Sequence, residues 1–342
     1  MTKTAAIIGG GIGGLAAAIA LRQAGWQVTV HERQTTTPAV GTALGIWPAA
    51  LRALDELGLG DEVRKRGVPQ SDGELRRPDG TRIAAMDVDR LERRLGDRIH
   101  LISRPALLTV LRDAAADGCD LRLGEPVGAV EPLRREFGLV VAADGVFSRT
   151  REELFGDRSR ARYAGSTAWR GTLDEFATDT FAEIWGAGVK FGVTPQEGGR
   201  TNWFASAALP EGRFHPGAER DALLEIFGGW SDPAVARVLG TVREEGILRH
   251  DIYVTPRLPS YVSGNVVLIG DAAHAMAPDL GRGACEAIID AVTLGRAGPA
   301  AYERDRRRST QRLVRMAGAA SRLTRMRHGV PLRNGLLKMA LR

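Results

Sequence analysis

The stretch Thr4-Ala5-Ala6-Ile7-Ile8-Gly9-Gly10-Gly11-Ile12-Gly13-Gly14-Leu15 decides the fold. Thr4 to Ile8 is a short apolar run closing on β-branched residues, and it breaks directly into glycine, which reads as a buried strand. Leu15 to Ala24 then reads as a helix closed by Gly25, and Gln27 to His31 as a second strand. Strands joined through a helix lie parallel, because only a crossover connection can link parallel neighbours. Inside the turn, Gly9, Gly11 and Gly14 have the spacing G-x-G-x-x-G. The first glycine permits the tight turn, the second lets a pyrophosphate approach the backbone, and the third lets the helix pack closely on the sheet. The phosphate charge then lies against a helix N-terminus. Glu32 ends the second strand 18 residues beyond Gly14, where an acid can accept hydrogen bonds from ribose hydroxyls. This arrangement predicts a dinucleotide site and leaves FAD and NAD open.

Working outward, Ala49 to Leu57 reads as a helix closed by Gly58, and Glu74 to Met86 as a hairpin around Pro78-Asp79-Gly80. Pro105 to Ala116 reads as a helix, followed by short strands near Leu121 and Val127 and another from Phe137 to Ala142. From Ser166 to Ala208 the pattern changes to short strands carrying Trp169, Trp185, Phe191 and Trp203 between glycine-rich turns, which predicts an antiparallel sheet. Val266 to Ile269 returns to a fully apolar strand, and Gly283 to Leu294 to a helix. The expected fold class is α/β, a Rossmann-like dinucleotide-binding domain with an inserted antiparallel-sheet domain. The first takes residues 1–69, 96–163 and 260–342, with helices at the C-terminus; the second, expected to hold substrate, takes 70–95 and 164–259. No internal repeat or low-complexity segment interrupts this organisation.

Composition narrows the function. The 342 residues, 44% hydrophobic and 26% charged, exclude a disordered or collagen-like chain. Cys119 and Cys285 stand far apart, which excludes a cysteine-based metal site and points to a reducing, cytoplasmic setting. Lys3 followed by an apolar run has the outline of a signal peptide, but Gly9, Gly10, Gly11, Gly13 and Gly14 interrupt it and no A-x-A exit follows. The net charge of +6 is local: from Arg296 to Arg342 thirteen Lys or Arg face only Glu303 and Asp305, leaving the rest of the chain negative. Arg304 to Arg325 has no aromatic interleaving, and Leu313, Ala317, Ala320 and Leu323 recur at helical spacing. That is the pattern of an amphipathic helix with a solvated face, so neither nucleic acid nor membrane is an expected partner. No H-E-x-x-H, G-x-S-x-G or P-loop pattern occurs, which removes metalloprotease, serine hydrolase and nucleotide triphosphatase readings. His274, among alanines on a short helix, reads as structural rather than as a base.

Two later motifs choose the cofactor. Ala143-Asp144-Gly145-Val146-Phe147-Ser148-Arg149-Thr150-Arg151, and Gly270-Asp271-Ala272-Ala273-His274-Ala275-Met276-Ala277-Pro278 with Gly281-Arg282-Gly283, resemble the second and third fingerprints of the class A flavoprotein monooxygenases. Ser103-Arg104-Pro105-Ala106-Leu107-Leu108, Trp169-Arg170-Gly171 and His250-Asp251-Ile252-Tyr253 extend the resemblance over most of the chain, nearest to the salicylate, urate and zeaxanthin-epoxidase branch. The tryptophan signature of the related flavin halogenases is absent.

The resemblance implies non-covalent FAD, with NADH or NADPH as transient reductant. The residues it implies around FAD are Gly9, Gly11, Gly14, Glu32, Arg33, Arg104, Val127, Asp144, Asp271, Pro278, Gly281, Gly283 and Ala284. Asp271 ends an apolar strand before a helix, where its carboxylate either accepts from the ribityl hydroxyls or simply caps the helix. The run Gly281 to Ala284 presents backbone N–H groups toward the flavin pyrimidine. Asp144 is expected near the pyrophosphate and the nicotinamide site, against a reading as a turn residue before Gly145.

The implied activity is hydroxylation or epoxidation of a small aromatic, heteroaromatic or polyene substrate with O2 through a flavin C4a-hydroperoxide. An FAD dehydrogenase or reductase without oxygen insertion, and a non-catalytic flavin-binding protein, remain as alternatives. No side chain is assigned a catalytic role and no metal is expected; the oligomeric state stays open. Lys190, Trp185 and Trp203 are the candidate substrate-binding residues. Lys190 has two readings: a surface lysine on an edge strand, or a cation in the pocket that would need an anionic partner. The chain departs from the family at Arg282, where Gln is usual, at Ile289, where Glu is usual, and at Ala49, where Asn is usual. Arg282 would then stabilise the anionic reduced flavin or point to solvent. The stretch from Leu121 to Val141 is also too short for the family's usual meander.

Overall fold

The computed structural model describes residues 3–36 and 41–340. The apolar run Thr4–Ile8 is one of the two central strands of a six-stranded sheet. Leu139–Ala142 lies on one side of it and Gln27–Glu32 on the other, both parallel, with Asp120–Leu123 beyond the second and Val266–Leu268 beyond the first. Only the edge strand Val262–Ser263 runs antiparallel. Its central strands are apolar throughout because helices cover both faces. On one face the helix Ile12–Gln23 packs against the helical segment Gly283–Thr324, two helices that meet at a break at Gly298. Small residues bring the two together: a Cβ on Gly13 would lie 3.2 Å from that of Ala287, and one on Gly295 would lie 2.7 Å from that of Ala20.

A seven-stranded sheet forms the second layer system, in the order Leu248–Val254, Arg162–Leu173, Arg200–Ala207, Val189–Gln196, Ala182–Trp185, Glu74–Arg76 and Arg82–Ala85. The expected hairpin therefore joins this sheet as its edge, turning at Gly80 with φ 82°. The inserted sheet is antiparallel except where Ala182–Trp185 meets Glu74–Arg76. One face buries Trp169, Phe191, Val193 and Trp203 against the helices Glu219–Phe227 and Pro233–Thr241, whose Leu223, Phe227, Val235 and Val238 complete the second core. The opposite face meets the first unit. The division expected at 163/164 falls within the strand Arg162–Leu173, next to the register shift between Tyr163 and Thr167.

Three expectations need correction. The short strand near Val127 does not form; residues 125–130 run as irregular chain and the helix Glu131–Glu136 fills the place of the missing meander strands. Glu131-Pro132 supplies the N-terminal chemistry that starts this turn of helix. The helix expected over Gly283 to Leu294 runs a few residues further, to a break at Gly298, whose φ of 77° and ψ of 175° are non-helical, and a second helix opening at Pro299 continues to Thr324. The helix at Ala49 begins one residue earlier, with Pro48 at its first position. Among the described residues no helix is long and apolar enough to cross a membrane.

Gly14 is packed against rigid backbone, since a Cβ there would overlap the Gly9 carbonyl oxygen and crowd the Ala143 side chain at 3.3 Å. Gly14→Ala is expected to cost at least about 3 kcal/mol of stability, the upper end for overpacking. Gly240→Ala, in a helix with open space around it, should be neutral or slightly stabilising. Thermal melting of the two variants beside the unsubstituted protein checks the contrast.

Candidate functional site

The carboxyl ends of the central strands open into a cleft of about 380 Å³. Gly9, Gly10 and Gly11 form one wall, Glu32 and Arg33 follow from the second strand, and Arg104, Val127 and Asp144 close the far side. Seven of the thirteen residues expected around the cofactor thus come together from five separate segments. The glycine turn exists because Gly9 sits at φ 104°, where a Cβ would meet the Ala143 carbonyl oxygen at 2.5 Å. Gly14 lies beneath the turn as a packing residue. Gly11 is different: no atom lies within 4 Å of where its Cβ would be, so its bareness serves the open cleft. Glu32 accepts from the Gly10 N–H at 2.6 Å and from the Gln34 N–H at 2.7 Å, which holds its carboxylate at the cleft edge. Asp144 accepts from the Thr150 N–H at 3.2 Å through Oδ2, while its Oδ1 is buried without a partner. A bare helix N-terminus, an acid at the ribose position and an acceptor that lacks a donor fit the adenosine-diphosphate half of a dinucleotide.

Asp271, Pro278, Gly281, Gly283 and Ala284 lie outside this cleft and gather around the start of the helix at Gly283. Asp271 is the first residue of its helix and Gly270 the cap, so its carboxylate makes no capping bond; Oδ1 lies 3.9 Å from the Cβ position of Gly283. The two groups of residues are tied together by Arg151, which sequence reasoning quoted only as part of a motif. Its fully buried guanidinium donates to the carbonyls of Ser159 at 2.7 Å, Val146 at 2.7 Å and Ala272 at 3.0 Å. Burial pushes its pKa down, opposed by Asp144 and Glu152.

A buried ion network backs the same turn. Asp290 accepts from the Gly270 N–H at 3.0 Å, from His274 at 2.5 Å and from Arg306 at 2.7 Å. Burial opposes both charges of the His274–Asp290 pair, but the mutual attraction wins, raising His274 and lowering Asp290. His274 is thus fully buried in an ion pair with Asp290. Arg282 is neither free near the cleft nor turned to bulk water: it donates to Glu286 at 2.7 Å and lies over the Trp47 ring at 5.2 Å. Glu286 holds Arg282 through one carboxylate oxygen while its other oxygen pairs with Arg306.

The three candidate substrate residues separate. Trp203 is fully buried with the helix-facing core, on the side of the sheet away from the first unit. Lys190 and Trp185 are direct cross-strand partners on the opposite face. The surface reading of Lys190 is overturned: its side chain is 6% exposed and its ammonium lies 3.0 Å from Asp279 and 3.9 Å from Glu183. Burial lowers its pKa, but these two carboxylates outweigh that and raise it, so it stays an ammonium through neutral pH. Trp185 donates its indole N–H to Glu183 at 2.8 Å and carries Arg333 over its ring. The residue missed is Phe204. Its ring lies across Gly192 on the neighbouring strand, where any Cβ would fall inside it, with the Lys190 ammonium 5.7 Å from its centroid. Strand alternation places Phe204 opposite Trp203 and could have found it.

Comparison with known proteins gives this geometry its setting. The model of the family described as "FAD binding domain" matches residues 1–132 and 234–314. The chain is 37% identical over 309 residues to the aurachin C monooxygenase/isomerase of Stigmatella aurantiaca, covering 86% of this chain and 80% of that protein. It is 31% identical over 316 residues to the FAD-dependent urate hydroxylase of Klebsiella pneumoniae, covering 85% and 80%. The crystal structure of Klebsiella pneumoniae HpxO with FAD and uric acid superposes with a TM-score of 0.86 at 26% identity, over 99% of this chain and 92% of that one. A family match over more than half of the chain, with relatives of this identity along most of its length, places the chain in the FAD binding domain family, among its class A flavin-dependent monooxygenases.

Proposed function

We propose that this monooxygenase takes electrons from NADH or NADPH and inserts one atom of O2 into a small, electron-rich aromatic or heteroaromatic substrate held between the turn at Pro278–Gly283 and the inserted sheet. The observation that carries this reading is the Phe204 ring lying flat over Gly192, flanked by the Lys190–Asp279 pair, on the sheet face turned toward the first unit. FAD, when bound, supplies the two-electron transfer from reduced nicotinamide and the activation of O2. Gly9, Gly11, Glu32, Arg104 and Asp144 are the residues that would hold its adenylate half, and Asp271 with Gly281, Gly283 and Ala284 those that would hold its flavin half. The chain's own task is to position substrate and keep water out. Phe204 offers an apolar face for a ring. Lys190 holds the Asp279 side chain beside the helix start and presents a cation to a phenolate, carboxylate or ring nitrogen. Because Asp279 already balances that cation, an anionic substrate is not needed to stabilise it, and the ammonium orients rather than anchors. The relative that is a urate hydroxylase supports the same substrate class.

The test is to supply FAD-loaded protein with NADH or NADPH, ¹⁸O2 and a panel of phenols and N-heteroaromatics. Substrate-stimulated nicotinamide oxidation with one ¹⁸O in the product supports the reading; nicotinamide oxidation that yields only hydrogen peroxide with every compound contradicts it.

Two variants probe the parts. Gly11→Val should fold, since its side chain enters open space, yet copurify without FAD; a normal melting curve with normal FAD content would remove Gly11 from the cofactor site. Lys190→Met should retain FAD, raise KM for the true substrate several-fold and lower the yield of product per nicotinamide oxidised. Kinetics equal to those of the unsubstituted enzyme would return Lys190 to a purely structural partner of Asp279.

A further inference from the structure

From Arg306 to Arg342 no Asp or Glu occurs, so this segment carries no acid of its own to balance its arginines. On the helix that opens at Pro299, Arg308, Arg312, Arg315 and Arg322 follow one another at spacings of four, three and seven residues, which puts them on one face. All four are exposed, and among the described residues their side chains make no hydrogen bond and no ion pair. Met316 and Leu323, each one position beyond an arginine of this stripe, are exposed beside it. The helix Val330–Ala340 continues the pattern, with Leu332, Leu336 and Met339 at i, i+4 and i+7. Leu332 is 71% exposed and Met339 67%. Five of the eight large apolar side chains exposed among the described residues thus lie between 316 and 339.

Packing keeps this stripe outward. Arg333 and Asn334 are the buried residues of the last helix, and the Arg333 guanidinium donates to the Gly186 carbonyl at 3.0 Å while lying over the Trp185 ring. The same guanidinium lies 3.5 Å from the Leu323 carbonyl, so the exposed side chains of Leu323 and Leu332 flank one junction between the two helices. Thr324 donates to Asp279 at 3.2 Å, which ties that junction to the rest of the molecule.

We propose that these two helices form a docking surface for an anionic lipid bilayer, the arginine stripe pairing with lipid phosphates while the leucine and methionine side chains enter the headgroup boundary. Guanidinium groups bind phosphate through paired N–H bonds. A basic helix with exposed leucines lies in the plane of such a surface, and no helix among the described residues is long and apolar enough to cross it. Two other occupants fit less well. A second copy meeting this face through a symmetry axis would set arginine against arginine. A nucleic acid would satisfy the charge but leave Leu332, Leu336 and Met339 in water. A merely solvated face, as expected from the sequence, accounts for the arginines alone.

Cosedimentation of the FAD-loaded protein with vesicles tests the proposal without any turnover. Vesicles of phosphatidylcholine mixed equally with phosphatidylglycerol are expected to bind it about tenfold or more tightly than phosphatidylcholine alone, and added salt should weaken the difference. The triple variant Arg312→Gln, Arg315→Gln, Arg322→Gln should lose that preference, and Arg→Lys changes at the same positions should keep most of it. Leu332→Gln with Leu336→Gln and Met339→Gln should weaken binding to both kinds of vesicle, with melting temperature and FAD content unchanged. No binding to the mixed vesicles, equal binding to the two kinds, or unaltered binding by either triple variant would overturn the proposal. So would a dimer in solution that the leucine and methionine changes dissolve, or duplex DNA binding more tightly than the mixed vesicles.

Discussion

The guanidinium of Arg151 holds the architecture of the site together. It is fully buried, and its hydrogen bonds run to carbonyl oxygens of Val146, Ser159 and Ala272. Hydrogen bonds from a charged donor contribute about 1.5–3 kcal/mol each, and a buried cation stripped of them is costly. Val146 follows the turn that carries Asp144, and Ala272 follows Asp271. One side chain therefore sets the distance between the acid at the dinucleotide cleft and the acid before the helix at Gly283. The Asp290 network works from the other side, fixing the Gly270 N–H and His274 through one carboxylate that Arg306 balances. Together these contacts link the two halves of the cofactor site through buried side chains.

The inserted sheet adds a second constraint, that of strand alternation. Each of its central strands sends one residue in two to the helix layer and the next toward the first unit. The helix-facing set is apolar, with Trp169, Phe191 and Trp203, and makes a core. The other set carries Lys190, Arg170, Phe204 and Asn202, and Asn202 accepts from the Ala43 N–H of the first unit at 2.9 Å. The same strands thus stabilise the insertion on one side and furnish chemistry on the other. A substitution that slips register by one residue would exchange the two roles.

Much of the first unit was legible in the chain because its signals are local. Strand, glycine turn, helix and terminal acid fall within the first 32 residues, and the spacing of Gly9, Gly11 and Gly14 has one physical solution. The end of the first C-terminal helix was legible to within a few residues, since Gly298 takes a non-helical conformation and Pro299 opens the next helix, the stop that a glycine and a proline signal in sequence. The strand expected near Val127 fails to form because a short apolar stretch has no preference strong enough to resist the chain that surrounds it. On the sheet, tryptophan content alone made Trp203 a candidate wall residue, whereas its parity with Trp169 and Phe191 assigns it to the core. The partner of Lys190 was beyond reach for a different reason. Asp279 lies 89 residues away, and only the docking of sheet against helix start brings the two charges within 3.0 Å.

The central claim is that the cleft between Gly9, Glu32 and Asp144 exists to hold the adenylate half of FAD, with the flavin half placed by the Arg151-bound turn beyond it. Titration of the flavin-free protein with FAD and with FMN, which lacks the adenylate, tests this most directly. FAD is predicted to bind at least a hundredfold more tightly, a difference of about 2.7 kcal/mol. Equal affinity for the two flavins would contradict the account.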